Sequence, residues 1–354
     1  MENKKIRVAI THGDTNGVGY EMILKAFEDP MMLELCTPII YGSPKVAAYH
    51  CNVLGIETPF SIVSRPDGIK DERVNLLAVM DEEIKVEIGH RTPESANAAD
   101  LAMQRALSDY ERGVFDVLVC GPDEFTTTEQ QGLPLLMSED LNMAFVTSKL
   151  AIKDVAEAIT KPIIMDKVTT LHGALKRDLR ISNPRIALLA LNPKGSHEEE
   201  ETEILLPAIE ELAQKGIQAF GPYQADEFFS TNAHLRFDAV LAMYHDQGMV
   251  PFMTIAADSG FKYIAGLPMV KTATLQDARY DIAGKGIADA TQLRHAIWQA
   301  IDIWRNRQEY DAPMAHPLPK LYHEKRDDSE KVRFAIPKGK DQQKREEKQP
   351  AAEA

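Results

Sequence analysis

The stretch Ala239-Val-Leu-Ala-Met-Tyr-His-Asp-Gln-Gly248 changes abruptly from apolar to polar residues. Its apolar part, from Val240 to Met243, predicts a strand buried in a sheet. His245, Asp246 and Gln247 would then lie at the carboxyl end of that strand, with Gly248 closing the turn. A single histidine after a strand is often only structural. A run of polar residues at the strand end, where open α/β sheets bind ligands, favours a functional site.

The rest of the chain alternates between apolar runs of strand length and segments with helical spacing. Strands are predicted over residues 6–10, 37–41, 114–120, 143–147, 185–190, 239–243 and 263–265. Helices are predicted over residues 20–27, 44–48, 96–110, 152–160, 169–178, 202–215 and 287–305. Such alternation is typical of largely parallel sheets with helices on both faces. A chain of 354 residues exceeds the usual size of one core, so we expect two domains.

Composition excludes several classes of protein. The chain has no apolar run approaching the roughly 20 residues of a membrane span, and its Met-Glu-Asn-Lys-Lys start lacks the apolar core of a signal peptide. The cysteines lack metal-ligand spacing, and their small number fits a reduced cytoplasm. A net charge of −14 argues against binding to nucleic acid, which requires a clustered basic face. We therefore expect a cytoplasmic protein with no membrane or nucleic-acid partner.

Several short motifs carry a resemblance to a known family, in the family's order and over roughly residues 6–305. The Ala-Met-Tyr-His-Asp-Gln-Gly string is intact, and Gly13-Asp-Thr-Asn-Gly-Val-Gly19 with Glu21 resembles the family's opening motif. The other matches are Cys120-Gly-Pro122, Leu191-Asn-Pro193, Gly221-Pro-Tyr-Gln-Ala-Asp226, Gly266-Leu-Pro268 and Ile282-Ala-Gly-Lys-Gly286. The chain resembles the 4-hydroxythreonine-4-phosphate dehydrogenases of pyridoxal phosphate biosynthesis, as a divergent member.

The resemblance implies two α/β/α domains like those of isocitrate and isopropylmalate dehydrogenases, with a cleft between them. Residues 1–130 and about 290–323 would form the first domain and residues 131–289 the second, followed by a charged, disordered tail over residues 324–354. It also implies a homodimer whose sites are completed across the subunit interface. The implied reaction is NAD-dependent, metal-assisted oxidation of 4-hydroxythreonine 4-phosphate or a related phosphorylated hydroxy acid.

The same resemblance assigns roles to individual residues. Asp246 and Gln247 are candidate catalytic residues, because they share the intact motif with His245. The candidate residues for cofactor binding lie in two of the retained motifs and are Leu191, Asn192, Pro193, Gly266 and Pro268.

The metal ligands implied by the resemblance are three histidines, and only His245 is retained. Lys149 and Lys194 stand at the other two positions. An ammonium group must lose a proton before it can bind a metal, and two of them would repel a divalent cation. The sequence therefore predicts weak metal binding and reduced or absent dehydrogenase activity. One alternative is an impaired homologue that binds a small anion or a partner. Another is an enzyme of different chemistry.

Further departures from the family pattern fall on the expected site. The Gly-rich stretch after Leu191-Asn-Pro193 reads Gly195-Ser-His-Glu-Glu-Glu-Glu201, and about twenty residues with a Gly-His-Thr-Glu motif are missing between Leu133 and Asn142. The family's lysine after Gly-Pro is absent from Cys120-Gly-Pro-Asp-Glu-Phe125, and a second lysine is replaced by Met253. Its Asp-His-Gly-Thr string aligns with Leu275-Gln-Asp-Ala278.

Some residues leave two interpretations open. Lys149 and Lys194 could join Lys262 and Lys271 in a basic pocket for an anion, or each could extend into solvent. Gly13, Gly17 and Gly19 could hold a phosphate, or could form a tight turn that needs positive φ angles. His12 could reach the cleft and His197 could replace the lost ligand at position 194, although solvated loop positions are favoured for both.

Overall fold

The computed structural model describes residues 5–57, 59–80, 84–122, 132–194 and 198–315. The strands in these ranges form one sheet of 12 strands in the order β3-β4-β2-β1-β5-β12-β11-β6-β7-β10-β8-β9. Their bounds are β1 Ile6–Thr11, β2 Cys36–Gly42, β3 Phe60–Val63, β4 Val74–Ala78, β5 Val117–Cys120, β6 Leu133–Met137, β7 Asn142–Phe145, β8 Arg185–Leu189, β9 Gln218–Tyr223, β10 Ala239–Ala242, β11 Phe261–Ala265 and β12 Val270–Thr274.

The sheet consists of two parallel halves joined by an antiparallel centre. Strands β3, β4, β2, β1, β5 and β12 are parallel to one another, as are β7, β10, β8 and β9. The pairs β12–β11, β11–β6 and β6–β7 are antiparallel. The two parallel halves therefore run in opposite directions, so their carboxyl ends lie at opposite edges of the sheet.

The helices cover both faces of this sheet. Their bounds are α1 Gly19–Ala26, α2 Met31–Leu35, α3 Pro44–Leu54, α4 Pro93–Glu111, α5 Val155–Ala158, α6 Lys161–Arg177, α7 Leu206–Gln214, α8 Ala225–Ser230, α9 His245–Ala256 and α10 Thr291–Ala315. A π-helical turn, Glu201–Leu205, leads directly into α7. The sequence predictions found most of these elements, but α2, α8, α9, β3, β4, β6, β9 and β12 were not predicted.

The apolar core differs between the two faces. On one face a single cluster extends from Ile6 and Val8 in β1 to Leu241 in β10, packed beneath α1, α3, α6, α7 and α10. On the other face there are two separate clusters, one under α4 and one under α8 and α9. Strands β11 and β12 lie between these two clusters. The sheet register places Lys262 and Lys271 on this interrupted face, on neighbouring strands.

The largely parallel sheet predicted from the sequence is confirmed, with a correction at its centre. The sheet is mostly parallel, but its centre is antiparallel because β6 and β7 form a hairpin. Ser138 and Leu141 close this hairpin through a hydrogen bond from Ser138 N to Leu141 O of 3.1 Å and one from Leu141 N to Ser138 Oγ of 3.0 Å. This short turn stands where the sequence predicts a missing segment.

The predicted division into two domains stays a prediction. Strand β12 was assigned to the second domain, yet it pairs with β5 on one side and with β11 on the other. The described residues up to Ala312 form one compact unit. The predicted tail over residues 324–354 lies outside the described residues.

Candidate functional site

The carboxyl ends of β7, β10 and β8 lie side by side at one edge of the sheet. Thr147 follows β7, and its hydroxyl donates to the carbonyl oxygen of Met243 after β10 at 2.8 Å. A cavity of about 200 Å³ opens here. It is lined by Thr147, Ser148, Leu150, Ile152, Val155, Tyr244, His245 and Asp246. The strand-end position predicted for the histidine motif is therefore beside a cavity of small-molecule size.

His245 is the first residue of α9 and is 48% exposed. Its Nδ1 lies 2.8 Å from Asp246 Oδ1, and its ring stacks on Phe145 with 6.0 Å between centroids. The neighbouring carboxylate orients the ring and fixes the tautomer, because Nδ1 donates to it. The imidazole therefore stands at the cavity rim in a defined orientation and is not part of the apolar core.

Gln247 makes two hydrogen bonds to the backbone. Its Oε1 accepts from Met243 N at 2.7 Å, and its Nε2 donates to Ala190 O at 2.6 Å. These bonds tie the ends of β10 and β8 together. The side chain predicted to be catalytic thus holds the strand ends in place.

The prediction that Gly248 closes a turn is wrong, because Gly248 lies inside α9 and is buried. A Cβ atom at this position would lie 2.6 Å from Phe145 Cε1 and 2.9 Å from the Cβ of Ala242. Glycine is needed here because the first turn of α9 packs closely against the sheet.

Asn192 is held by two carboxylates from the acidic segment that follows it. Its backbone N donates to Glu201 Oε1 at 2.8 Å, and its Nδ2 donates to Glu201 Oε2 at 3.0 Å and to Glu200 Oε2 at 2.9 Å. Glu201 is fully buried. The acidic segment therefore fixes the Leu191-Asn-Pro193 turn at the carboxyl end of β8.

The second predicted cofactor motif, Gly266-Leu-Pro268, forms the turn between β11 and β12. Gly266 has a φ of +81°, and a Cβ there would lie 3.0 Å from Thr170 Cγ2. The Pro268 carbonyl accepts from Arg307 Nη1 at 2.8 Å. Because β11 runs in the same direction as β10 and β8, this turn lies at the same edge as His245 and Asn192. Strands β6 and β7 separate this turn from the ends of β10 and β8.

The residues present do not fit the metal site implied by the resemblance. Lys149 and Lys194 lie after β7 and β8, at the expected edge, and both are exposed. Within the described ranges, no group of three His, Cys, Asp or Glu side chains is arranged to hold a metal ion. His197 and the segment Asp123-Glu-Phe125 lie outside the described residues. One imidazole with two lysines at the remaining positions cannot supply the donor set of a tight divalent site.

The favoured interpretation of His12 as a solvated loop residue is wrong. His12 is fully buried and stacks on Tyr20 with 5.0 Å between ring centroids, and Tyr20 stacks in turn on His50 at 5.1 Å. His12 Nδ1 lies 2.6 Å from Gly13 O, while Nε2 has no hydrogen-bond partner. Burial lowers the pKa of His12 to about 4, so the ring is neutral near pH 7.

The N-terminal glycines form a tight, buried turn. Gly13 has a φ of +72°, whereas Gly17 and Gly19 are needed for close packing: a Cβ on Gly17 would lie 2.5 Å from Ala278 O, and one on Gly19 would lie closer still to His12 O. All residues from His12 to Gly19 are buried. The interpretation as a structural turn therefore describes this loop better than a phosphate cradle does.

Glu21, in α1 just after this turn, holds a second family motif in place. Its Oε1 accepts from Ala288 N at 2.7 Å, and the Lys25 ammonium donates to the carbonyls of Gly286 and Ala288. The first helix therefore anchors the segment that contains Ile282-Ala-Gly-Lys-Gly286. This contact joins two family motifs that are far apart in the sequence.

Several residues of the site were missed by sequence reasoning. Phe145 and Ser148 flank the strand end at β7, and Glu201 reaches back to Asn192. Arg307 donates from Nε to Asp178 Oδ1 at 2.7 Å and from Nη2 to the Tyr263 hydroxyl at 2.8 Å, and so supports the Gly266–Pro268 turn from α10. A run of glutamates signals a solvated surface, so only the fold could identify Glu201 as buried.

Comparison with known proteins gives the family. Residues 123–300 match the family model described as pyridoxal phosphate biosynthetic protein PdxA. A 4-hydroxythreonine-4-phosphate dehydrogenase from Bacteroides thetaiotaomicron is 45% identical over 358 aligned residues, which cover 94% of this chain and 98% of that protein. The chain belongs to this family.

The chain is also similar to two further proteins. A putative D-threonate 4-phosphate dehydrogenase from Oceanobacillus iheyensis is 29% identical over 85% of this chain and 98% of that protein. The structure of a putative 4-hydroxythreonine-4-phosphate dehydrogenase from Salmonella typhimurium shares the fold, with a TM-score of 0.71, 23% identity and coverage of 84% and 99%.

The alignment with the Bacteroides thetaiotaomicron protein is 358 positions long, although it covers only 94% of the 354 residues of this chain. That family member therefore has residues without a counterpart here, as a shortened site segment would require.

Proposed function

We propose that this protein oxidises 4-hydroxythreonine 4-phosphate, or a related phosphorylated hydroxy acid, in pyridoxal phosphate biosynthesis. The observation that carries the proposal is the 45% identity to a 4-hydroxythreonine-4-phosphate dehydrogenase over nearly the whole of both chains. Membership of a dehydrogenase family indicates a nicotinamide cofactor in general, and we propose NAD. When bound, it accepts the hydride that leaves the carbinol carbon of the substrate.

The cavity beside His245 would bind the polar end of the substrate. Ser148 offers a hydroxyl group there, and Asp246 keeps the His245 ring in one orientation. Asp246 stands as a candidate catalytic residue, while Gln247 positions the strand ends. Leu191, Pro193, Gly266 and Pro268 stay candidates for cofactor contact through their backbone. No step of the reaction is assigned to a divalent ion, because the side chains present do not fit one.

The proposed assembly is a homodimer. Exposed apolar side chains lie at the cavity edge, on α6 and on α9, and water contact with them is unfavourable. They are Leu150, Ile152, Ile163, Val250 and Met253, with exposed fractions of 49, 69, 38, 63 and 41%. A second copy would cover them. Analytical ultracentrifugation at micromolar concentration tests this, and a monomer would contradict it.

We place the protein in the cytoplasm, without a nucleic-acid partner. The support is its net charge of −14 and its three buried cysteines. None of the helices in the described ranges is long and apolar enough to span a bilayer.

The test is an NADH-forming assay with two phosphorylated substrates, 4-hydroxythreonine 4-phosphate and D-threonate 4-phosphate, and with unphosphorylated 4-hydroxythreonine as control. The enzyme from Bacteroides thetaiotaomicron serves as reference. We expect NADH formation with a phosphorylated substrate at a rate at least about 100-fold below the reference, since loss of a single partner of a metal ligand costs about 10- to 100-fold and two ligand positions are changed here.

A second candidate function is favoured by Lys149 and Lys194 at the former ligand positions: a homologue that binds a small anion without turnover. Binding of a phosphorylated substrate with no NADH formation would select it and reject the dehydrogenase proposal.

A further inference from the structure

Glu201 contacts Asn192 as a bound anion would. Its two carboxylate oxygens accept from the backbone N and from Nδ2 of Asn192 at 2.8 and 3.0 Å, and the side chain is fully buried. A backbone N–H beside a side-chain amide at a strand end is a donor pair suited to an oxyanion such as phosphate.

A second carboxylate beside Glu201 also disfavours the binding of an external anion at Asn192. Glu200 Oε2 also accepts from Asn192 Nδ2, at 2.9 Å, so two carboxylates converge on one amide. A phosphate placed at Asn192 would have to displace a buried carboxylate and would then lie within a few ångströms of a second one. Like charges at such separations repel each other.

We infer that Glu201 permanently occupies the anion position of the Leu191–Pro193 turn, so that no phosphate of cofactor or substrate binds to Asn192. Glu201 is thereby a specificity-determining residue, because phosphate-bearing ligands are directed to other parts of the site. The inference rests on the proposed function only in its choice of dinucleotide as one probe. It also removes Asn192 from the set of residues that the sequence predicts to bind the cofactor.

A residue that only stabilises the turn would have the same contacts, so the test must measure binding as well as stability. The probes are inorganic phosphate, titrated by calorimetry, and NADH, titrated by fluorescence. The variants are Glu201→Gln, which keeps the shape and removes the charge, and Glu201→Ala, which exposes both Asn192 donors. Glu203→Gln is the matched control, because Glu203 is exposed on the same helical segment. Thermal unfolding identifies which variants are folded.

We expect Glu201→Gln or Glu201→Ala to bind inorganic phosphate about tenfold more tightly than the unmodified chain, a change of one decade in Kd. Adding Asn192→Ala, which removes the side-chain donor and keeps the backbone N–H, should reduce that gain, and Glu203→Gln should leave phosphate affinity within about twofold of the unmodified chain. Asn192→Ala alone should leave the affinity for phosphate and NADH unchanged.

Two results would overturn the inference. One is a loss of phosphate or NADH affinity in Asn192→Ala alone, since Asn192 would then already be binding the ligand. The other is unchanged phosphate affinity in the folded Glu201 variants. Absence of NADH binding together with the gain in phosphate affinity would reject the proposed cofactor and still support the role of Glu201.

Discussion

Gln247 donates from Nε2 to the carbonyl oxygen of Ala190 at 2.6 Å, and this bond links α9 to the end of β8. Its Oε1 accepts from Met243 N at 2.7 Å, so one side chain satisfies backbone groups of two strand ends. The residue that follows the His245–Asp246 pair is therefore a structural support for that pair.

Replacement of Gln247 should destabilise the fold. Gln247→Leu leaves two backbone groups without partners, and we expect the free energy of unfolding to fall by about 2–4 kcal/mol in urea denaturation. Gln214→Leu, at the exposed end of α7, is the control and should change stability by less than about 0.5 kcal/mol. Unchanged stability in Gln247→Leu would contradict the structural role.

Gly248 should not tolerate even a methyl group. Alanine favours helices over glycine by about 1 kcal/mol, but its Cβ would meet Phe145 and Ala242 in this position. We expect Gly248→Ala to cost about 1–3 kcal/mol by overpacking. Gly173→Ala in α6 is the matched control, because a Cβ there has no atom within 4 Å, and it should stabilise the chain by about 0.5–1 kcal/mol. Equal effects of the two substitutions, measured by thermal unfolding, would refute this account.

The buried Arg307–Asp178 pair should matter much more than a surface pair on the same helix. Arg307→Met leaves the Asp178 carboxylate and the Tyr263 hydroxyl without their cationic partner, which should cost about 3–5 kcal/mol. Arg305, also on α10, lies 3.8 Å from Asp302 with half of its side chain exposed. Arg305→Met should cost less than about 1 kcal/mol. Denaturant midpoints compare the two, and similar losses would contradict the prediction.

Stability should fall in mild acid because of His12. Its pKa is lowered from 6.5 to about 4 by burial, so the unfolded chain binds a proton at a higher pH than the folded chain. The contribution of neutral His12 to the free energy of unfolding is complete above pH 6.5 and is lost as the pH falls toward 4. It amounts to about 3 kcal/mol. Burial lowers the pKa of His50 as well, which adds to the effect in the same direction.

Denaturation curves between pH 7 and pH 4.5 measure this loss. His12→Phe keeps the stacking on Tyr20 and should reduce the pH dependence, whereas His90→Phe, at a ring that is 60% exposed, should leave it unchanged. An identical acid response in His12→Phe would show that His12 does not contribute.

The sequence predicts the series of strands and helices, the strand-end position of His245 and the family. These follow from local patterns: apolar runs such as Val240 to Met243, and motifs that need no tertiary information. It does not predict that α9 begins at His245, because Gly248 and Pro251 disfavour a helix in isolation and only packing against Phe145 and Ala242 explains Gly248.

Charge patterns were the least informative about burial. The run of glutamates before α7 indicates a solvated surface, yet Glu201 is buried because Asn192 satisfies both of its oxygens. His12 was expected in solvent, yet a ring stack with Tyr20 and His50 encloses it. Both outcomes depend on contacts that form only in the folded chain, which a one-dimensional pattern does not contain.

The central claim is that this chain keeps the family scaffold without the family's metal site, and calorimetric titration with Zn²⁺, Mn²⁺ and Mg²⁺ tests it most directly. We predict that the unmodified chain binds each ion at the His245 position with a Kd weaker than about 1 mM, and that Lys149→His with Lys194→His tightens it at least about tenfold. Binding of one ion per chain with a Kd near 1 µM, lost in His245→Ala, would contradict the claim.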